Sequence, residues 1–366
     1  MPTELIMDAN LHVEKEGYAR TDGRYSGIRD DGYVGSARSL PVAAGRGAAA
    51  AAGAMAVING TVPLPKRIIS PVVRRAEPYD FAALAEDIEA IIRCYPFVRR
   101  RTIGHSVLGL PLVELQIGRG PVRVHMNGSF HANEWITTAV VMALIDDYLR
   151  ALVDDAVLAG HRVLEYYHKV TLSIVPMVNP DGVNLVLNGP PEEEPHRSEA
   201  VRINGSSLDF SQWKANIRGV DLNNQFPARW EIEQARKPPK APAPRDFPGF
   251  APLTEPEAKA MAALAETSDF AMVVAFHTQG KEIYWGYEGL EPQRRKQPSR
   301  RWRKQADTRL SATLTAMPAI EIGSFRRGSG AAIRSSSARA SIRCRSRNLR
   351  KFTKALGLFL ATLKMA

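Results

Sequence analysis

The segment SFHANEW places His131 and Glu134 three residues apart, directly after VRVHMNG, a run that alternates apolar and polar residues as a strand does. A histidine and a carboxylate at that spacing, at a strand end, can converge on one cation at the rim of a sheet. Taken alone the pair is weak, because a solvated loop yields the same pattern more often. His277 closes the apolar run DFAMVVAFH, where a lone histidine is usually a satisfied strand-end residue. Two imidazoles and one carboxylate with a fourth position open nevertheless form the donor set of a catalytic rather than a structural zinc. Late in the chain, PAIEIGS sets Glu321 between two isoleucines, where a general base for a metal-bound water would be sought.

The elements that must position these residues are readable from Tyr79 onward. YDFAALAEDIEAIIRCY carries apolar residues at helical spacing, and TTAVVMALIDDYLRALV is a second amphipathic helix. LVELQIG and VRVHMNG read as strands, and KVTLSIVPMVNPDG as a buried strand ending in turn residues. TEPEAKAMAALAE reads as a helix capped by Thr254, and DFAMVVAFHTQG and KEIYWGYEG as two further strands. Alternating strands and helices predict an α/β fold, a mixed β-sheet with helices on both faces.

A chain of 366 residues can bury a sizeable core. Its two cysteines, Cys94 and Cys344, fit neither a disulfide framework nor a CxxC metal site. No run approaches the roughly 18 apolar residues a membrane span needs, and the N-terminus lacks a basic start followed by an apolar core. The expectation is a monomer with no membrane partner and no export signal, its compartment open. The net charge of +11 is uneven: residues 293–354 hold eighteen Lys and Arg against Asp307 and Glu321, so that segment carries +16 and the rest of the chain −5. The basicity belongs to one segment, and the near absence of interleaved aromatics beyond Trp302 argues against a nucleic-acid partner.

SFHANEW, PMVNPDGVNLV, GVDLNNQFP and FHTQG with IYW occur in the order and approximate spacing of the zinc carboxypeptidase family, which the chain resembles over residues 78–292. The wording of these motifs is most similar to the bacterial γ-D-glutamyl-L-diamino acid endopeptidases. The resemblance implies zinc held by His131, Glu134 and His277, and a peptidoglycan or muropeptide substrate. Carboxypeptidases proper carry Asn-Arg in the GVD motif, where the arginine grips a terminal carboxylate; here the residues are Asn223 and Asn224. That departure weakens an ordinary metallocarboxypeptidase and makes both asparagines substrate-binding candidates. Lys214, in QWKAN, falls near the family's carbonyl-polarising arginine, which it can replace as a point charge; a solvated loop lysine is the bland alternative.

In the family the base is a glutamate on a late strand reading roughly T-[IF]-E-L-G, after a loop tyrosine. Glu321 matches only superficially, since its surroundings are Ser/Arg-rich and aperiodic. Taking the last base of each codon with the first two of the next, residues 311–326 permit RYVDSYAGYRDWFIQE and residues 332–353 permit YTIELGQGVNPLPLSQFAEIYE. This restored text resembles the tyrosine loop and the base strand, with the glutamate encoded across Ser335 and Ser336. Glu321 is therefore read as a coincidence, and 293–354 as out of frame. The resulting division is residues 1–36 as a possible remnant of a LysM glycan-binding module, 37–77 as an Ala/Gly-rich linker, 78–292 as the catalytic domain, 293–354 as the altered segment and 355–366 as a remnant of a terminal helix. A pseudo-enzyme that binds zinc and muropeptide without cutting is the alternative that this reading leaves open.

Overall fold

The computed structural model describes residues 71–73, 78–158 and 161–278, together with the backbone of short strands at 19–21, 24–26, 282–284, 309–311 and 331–336. Glu321 and the proposed terminal helix lie outside the described residues, as do most of the LysM-like stretch and the linker.

The first helix among the described residues, α1 (Phe81–Cys94), starts where Asp80 accepts a hydrogen bond from Ala83 N, and its periodic apolar face buries Phe81, Leu84, Ile88 and Ile91. Strands β1 (Arg99–His105), β2 (Pro111–Gly118) and β3 (Val122–Asn127) follow, then helix α2 (Ile136–Val153). Helix α3 (Val163–Lys169) leads into β4 (Val170–Val175), whose residues are all buried. Next come α4 (Pro180–Asn188), α5 (His196–Ile203), α6 (Trp230–Arg236), α7 (Pro256–Thr267) and β5 (Phe270–His277). The remaining strands, β6 (Glu282–Tyr284), β7 (Arg309–Ser311) and β8 (Ala331–Ser336), complete an eight-stranded sheet of order β7-β6-β8-β5-β3-β4-β2-β1.

The sheet is mixed, as its alternating pattern predicts. β8, β5, β3 and β4 run parallel to one another, while β2 pairs antiparallel with both β4 and β1, and β6 pairs antiparallel with β8. Parallel strands need both faces covered, and β5 supplies both, alternating from Met272 onward after a register shift against β3 at its start. Met272, Val274 and Phe276 join the core that contains α1, α2 and α3, whereas Phe270 and Val273 join the opposite core with Met261 and Leu264 of α7.

Two local expectations give way. Thr254 is not the cap of α7: Pro256 takes the first helical turn, Glu255 is the N-cap, and Thr254 N and Oγ1 donate to Gln225 Oε1 at 2.7 and 2.9 Å. The NPDG that reads as a turn opens a helix instead, because Asn179 caps Gly182 N and Pro180 occupies the first position, where its missing N–H is not needed. The aperiodic segment supplies β7 and β8; ladder pairing uses backbone groups, so it does not require a side-chain period.

Candidate metal centre

The three predicted metal ligands meet at the C-terminal edge of the central strands. His277 is the last residue of β5, and β3 ends at Asn127, next in the sheet, just before the segment that carries His131. Between β3 and His131 the chain turns sharply. Gly128 is needed there, since a Cβ would lie 2.9 Å from Pro176 O, and Ser129 adopts φ 50°. Thr137 Oγ1 accepts from Ser129 N at 2.8 Å, and Thr138 Oγ1 donates to Pro176 O at 2.7 Å. Glu134 then closes a 3-10 turn, Ala132–Glu134, pinned by Ala132 N to Lys214 O and Asn133 N to Trp213 O, both at 3.0 Å.

The side chains converge. His277 Nδ1 is 2.7 Å from Glu134 Oε2, and His131 Nδ1 is 3.1 Å from Glu134 Oε1 and 3.3 Å from His277 Nδ1. One potential ligand atom from each residue lies within 4.8 Å of the others, and all three residues are buried. Burial disfavours a charged His131, but Glu134 and Asp221 outweigh it and raise the imidazole pKa. Burial likewise opposes ionisation of Glu134, yet the two histidines hold its pKa well below the ordinary value. A carboxylate kept ionised beside two imidazoles is an environment that favours a dication, with metal replacing protons on the rings. Glu134 Oε1, buried and without a well-aligned hydrogen bond although His131 Nδ1 stands 3.1 Å away, is an acceptor consistent with that occupant.

Two further buried residues contact His131 from behind. Asp221 Oδ1 is 3.5 Å and Asn223 Nδ2 2.6 Å from His131 Nε2. Burial pushes the Asp221 pKa up, but His131 and then Lys237 and Lys214 bring it down to about 2. Sequence reasoning did not single out Asp221, although it stands in the GVD motif; a carboxylate between linked motif residues was the available signal. Asn223 and Asn224 are both buried, and Asn223 is engaged with His131. Lys214 also reaches the centre, its Nζ 3.8 Å from Glu134 Oε1 in a buried position, which removes the reading of it as a solvated loop lysine. Burial lowers its pKa, against the pull of Glu134.

A fold of this topology with a buried His, Glu, His group at the strand ends defines a class of metallopeptidase. Residues 85–352 match the family model described as zinc carboxypeptidase, and the chain belongs to that family. The family is zinc-dependent. The chain is 51% identical over 227 residues, 62% of its length and 57% of the relative's, to γ-D-glutamyl-L-diamino acid endopeptidase 1 of Lysinibacillus sphaericus. It is 49% identical over 223 residues to the uncharacterized protein YqgT of Bacillus subtilis strain 168, covering 60% of this chain and 59% of that one. The chain thus spans less than two thirds of the length of both relatives. Among solved structures, carboxypeptidase A from Helicoverpa armigera superposes with a TM-score of 0.57 at 15% identity, over 87% of this chain and 78% of that one, so the fold is shared.

Proposed function

We propose that this chain is built to bind one zinc through His131, Glu134 and His277 and to act on the γ-D-glutamyl–diamino acid amide of peptidoglycan stem peptides. The observation that carries the substrate class is the 51% identity to an endopeptidase of that name, joined to Asn224 where a carboxypeptidase proper needs arginine. A buried neutral amide cannot supply the bidentate charge that holds a terminal carboxylate. Bound at these residues, zinc supplies Lewis acidity and an acidified water. Asp221 and Asn223 fix the orientation of His131, and Lys214 offers a positive charge beside the metal group for the developing oxyanion. Asn223 and Asn224 border the substrate. The expected partner is a muropeptide, without nucleic acid or membrane, and the working unit a monomer. Among the described residues, no helix is long and apolar enough to cross a membrane.

The general base is the missing part, and the backbone register supports the frame reading. β8 pairs in parallel with β5, with Ser335 opposite Phe276 and Ser336 opposite His277. In the alternative frame the glutamate is encoded across those two serines, so it would stand beside the metal ligand at the strand edge. This chain is accordingly expected to have little or no peptidase activity, and frame correction to restore it. Release of diamino acid from a γ-D-glutamyl-linked stem peptide tests both parts. The chain and its Glu321→Gln variant should be equally inert, and a chain with 293–354 replaced by the alternative-frame text should be active. Activity in this chain that Glu321→Gln abolishes would make Glu321 the base and overturn the frame reading; a replaced chain with no activity on this substrate would overturn the substrate reading.

A further inference from the structure

Loop 237–253, KPPKAPAPRDFPGFAPL, is fastened to the metal centre at several points. Lys214 N and Ala215 N both donate to Pro244 O, at 2.8 and 3.0 Å, and Asp221 N donates to Phe247 O at 2.8 Å. Between these anchors, Asp246 N donates to Asp221 Oδ2 at 3.2 Å. Arg245 is therefore held between the backbone of the lysine nearest Glu134 and the carboxylate that contacts His131. Asp246 has φ 66°, a left-handed conformation that a non-glycine residue keeps only where its surroundings enforce it. Its Oδ2 accepts from Arg245 Nε at 3.2 Å and its Oδ1 from Lys237 Nζ at 3.1 Å. Among the described residues the guanidinium is thus engaged through Nε, which leaves its terminal donors for a second carboxylate. Arg245 is 45% exposed, whereas Lys214 is buried.

We propose that Arg245 is a specificity-determining residue that pairs with the free α-carboxylate adjacent to a γ-linked scissile amide. This rests on the substrate reading above. In a γ-glutamyl amide the carbonyl under attack carries a short aliphatic arm that ends in a carboxylate, and this anion lies within the peptide, not at its terminus. The cation that polarises the carbonyl and the cation that reads the carboxylate must then be close neighbours with separate tasks. Lys214, buried against Glu134, suits the first; Arg245, exposed and pre-oriented by Asp246, suits the second, because a planar fork matches a carboxylate. Asn224 offers no charge, so the anion must be read from another direction.

Calorimetric binding to the zinc-loaded full chain tests this with two tripeptides, L-Ala-γ-D-Glu-diamino acid carrying a free α-carboxyl and the same peptide with an α-carboxamide. The chain should bind the free acid about tenfold more tightly, the size of one charge-assisted contact. Arg245→Ala should bind both peptides equally, at the level of the amide, with zinc content unchanged, and Arg245→Lys should keep part of the preference. If Arg245→Ala loses zinc or its fold, Arg245→Gln, which retains a donor toward Asp246, provides the same comparison. A preference that survives the loss of the guanidinium, or no preference in the starting chain, overturns the subsite while leaving the substrate reading in place. Failure of the chain to bind either tripeptide overturns the substrate reading and this inference together.

Discussion

Glu134 and Asp221 at the metal centre, and Asp181 and Glu257 beneath the neighbouring turn, are all buried carboxylates, and they are held in opposite states. Burial raises the pKa of each. At the metal centre, imidazole and ammonium groups overcome that cost, leaving Asp221 at about 2 and Glu134 well below its ordinary value. At the second cluster the close partners are neutral donors: Ser106 Oγ at 2.7 Å and Leu108 N at 2.9 Å to Asp181, and Val107 N at 3.1 Å to Glu257. There burial dominates and pushes Asp181 up to about 6, with Glu193 adding to it, and Glu257 up to about 8, with the Asp181 charge adding to it. Partners therefore decide what burial does to an acid. Charged partners produce a site that invites a dication; neutral donors produce a proton-holding joint between the 106–110 turn, α4 and α7. Asn216, whose Nδ2 donates to Glu255 Oε2 at 2.7 Å, ties the loop bearing Lys214 to this joint.

The comparison breaks most readily at the metal. Purified chain should carry stoichiometric zinc, and His131→Ala should lose it; equal metal content in the two proteins would remove the assignment. Asp221→Asn should keep the fold and weaken zinc affinity by about 10–100-fold, the usual cost of losing a partner behind a ligand histidine; competition with a chelator measures it, and an unchanged affinity would make Asp221 merely structural. The second cluster gives the smaller, pH-dependent effect. Because the folded Glu257 pKa lies above its unfolded value near 4.5, the stability from its bound proton is complete below about pH 4 and is lost as pH rises toward about 8. Glu257→Gln should flatten that decline, roughly 3 kcal/mol between pH 5 and 8. Urea unfolding of both proteins at the two values checks this, and parallel slopes would show that the carboxyl keeps no extra proton.

Much of the scaffold was legible from local pattern. The 3.6-residue period of α1 and α2, the alternation in β3 and the apolar run of β5 each reflect contacts that neighbouring residues make with one core face. His131 and Glu134 were readable because their convergence is achieved within a single turn. The cap of α7 was misread because Gln225, 29 residues before Thr254, takes the threonine that would otherwise cap the helix. The helix at NPDG was misread because turn and helix start share the same residues, and only continued burial of Val183 and Leu185 tells them apart.

Residue types and local periods by themselves determined the order of strands and helices along the chain and the uneven charge, and the linked motifs pointed to His131, Glu134 and His277 as the candidate donor set. Tertiary structure alone decided that Asp221 and Asn223 stand behind His131, that Asp181 meets Glu257, that Arg245 comes to rest beside Lys214, and that β8 aligns Ser336 with His277. The division has a physical cause. A period of two or 3.6 residues is written by short-range geometry, whereas the meeting of distant residues depends on sheet order and on loops whose anchors are backbone groups common to every residue type.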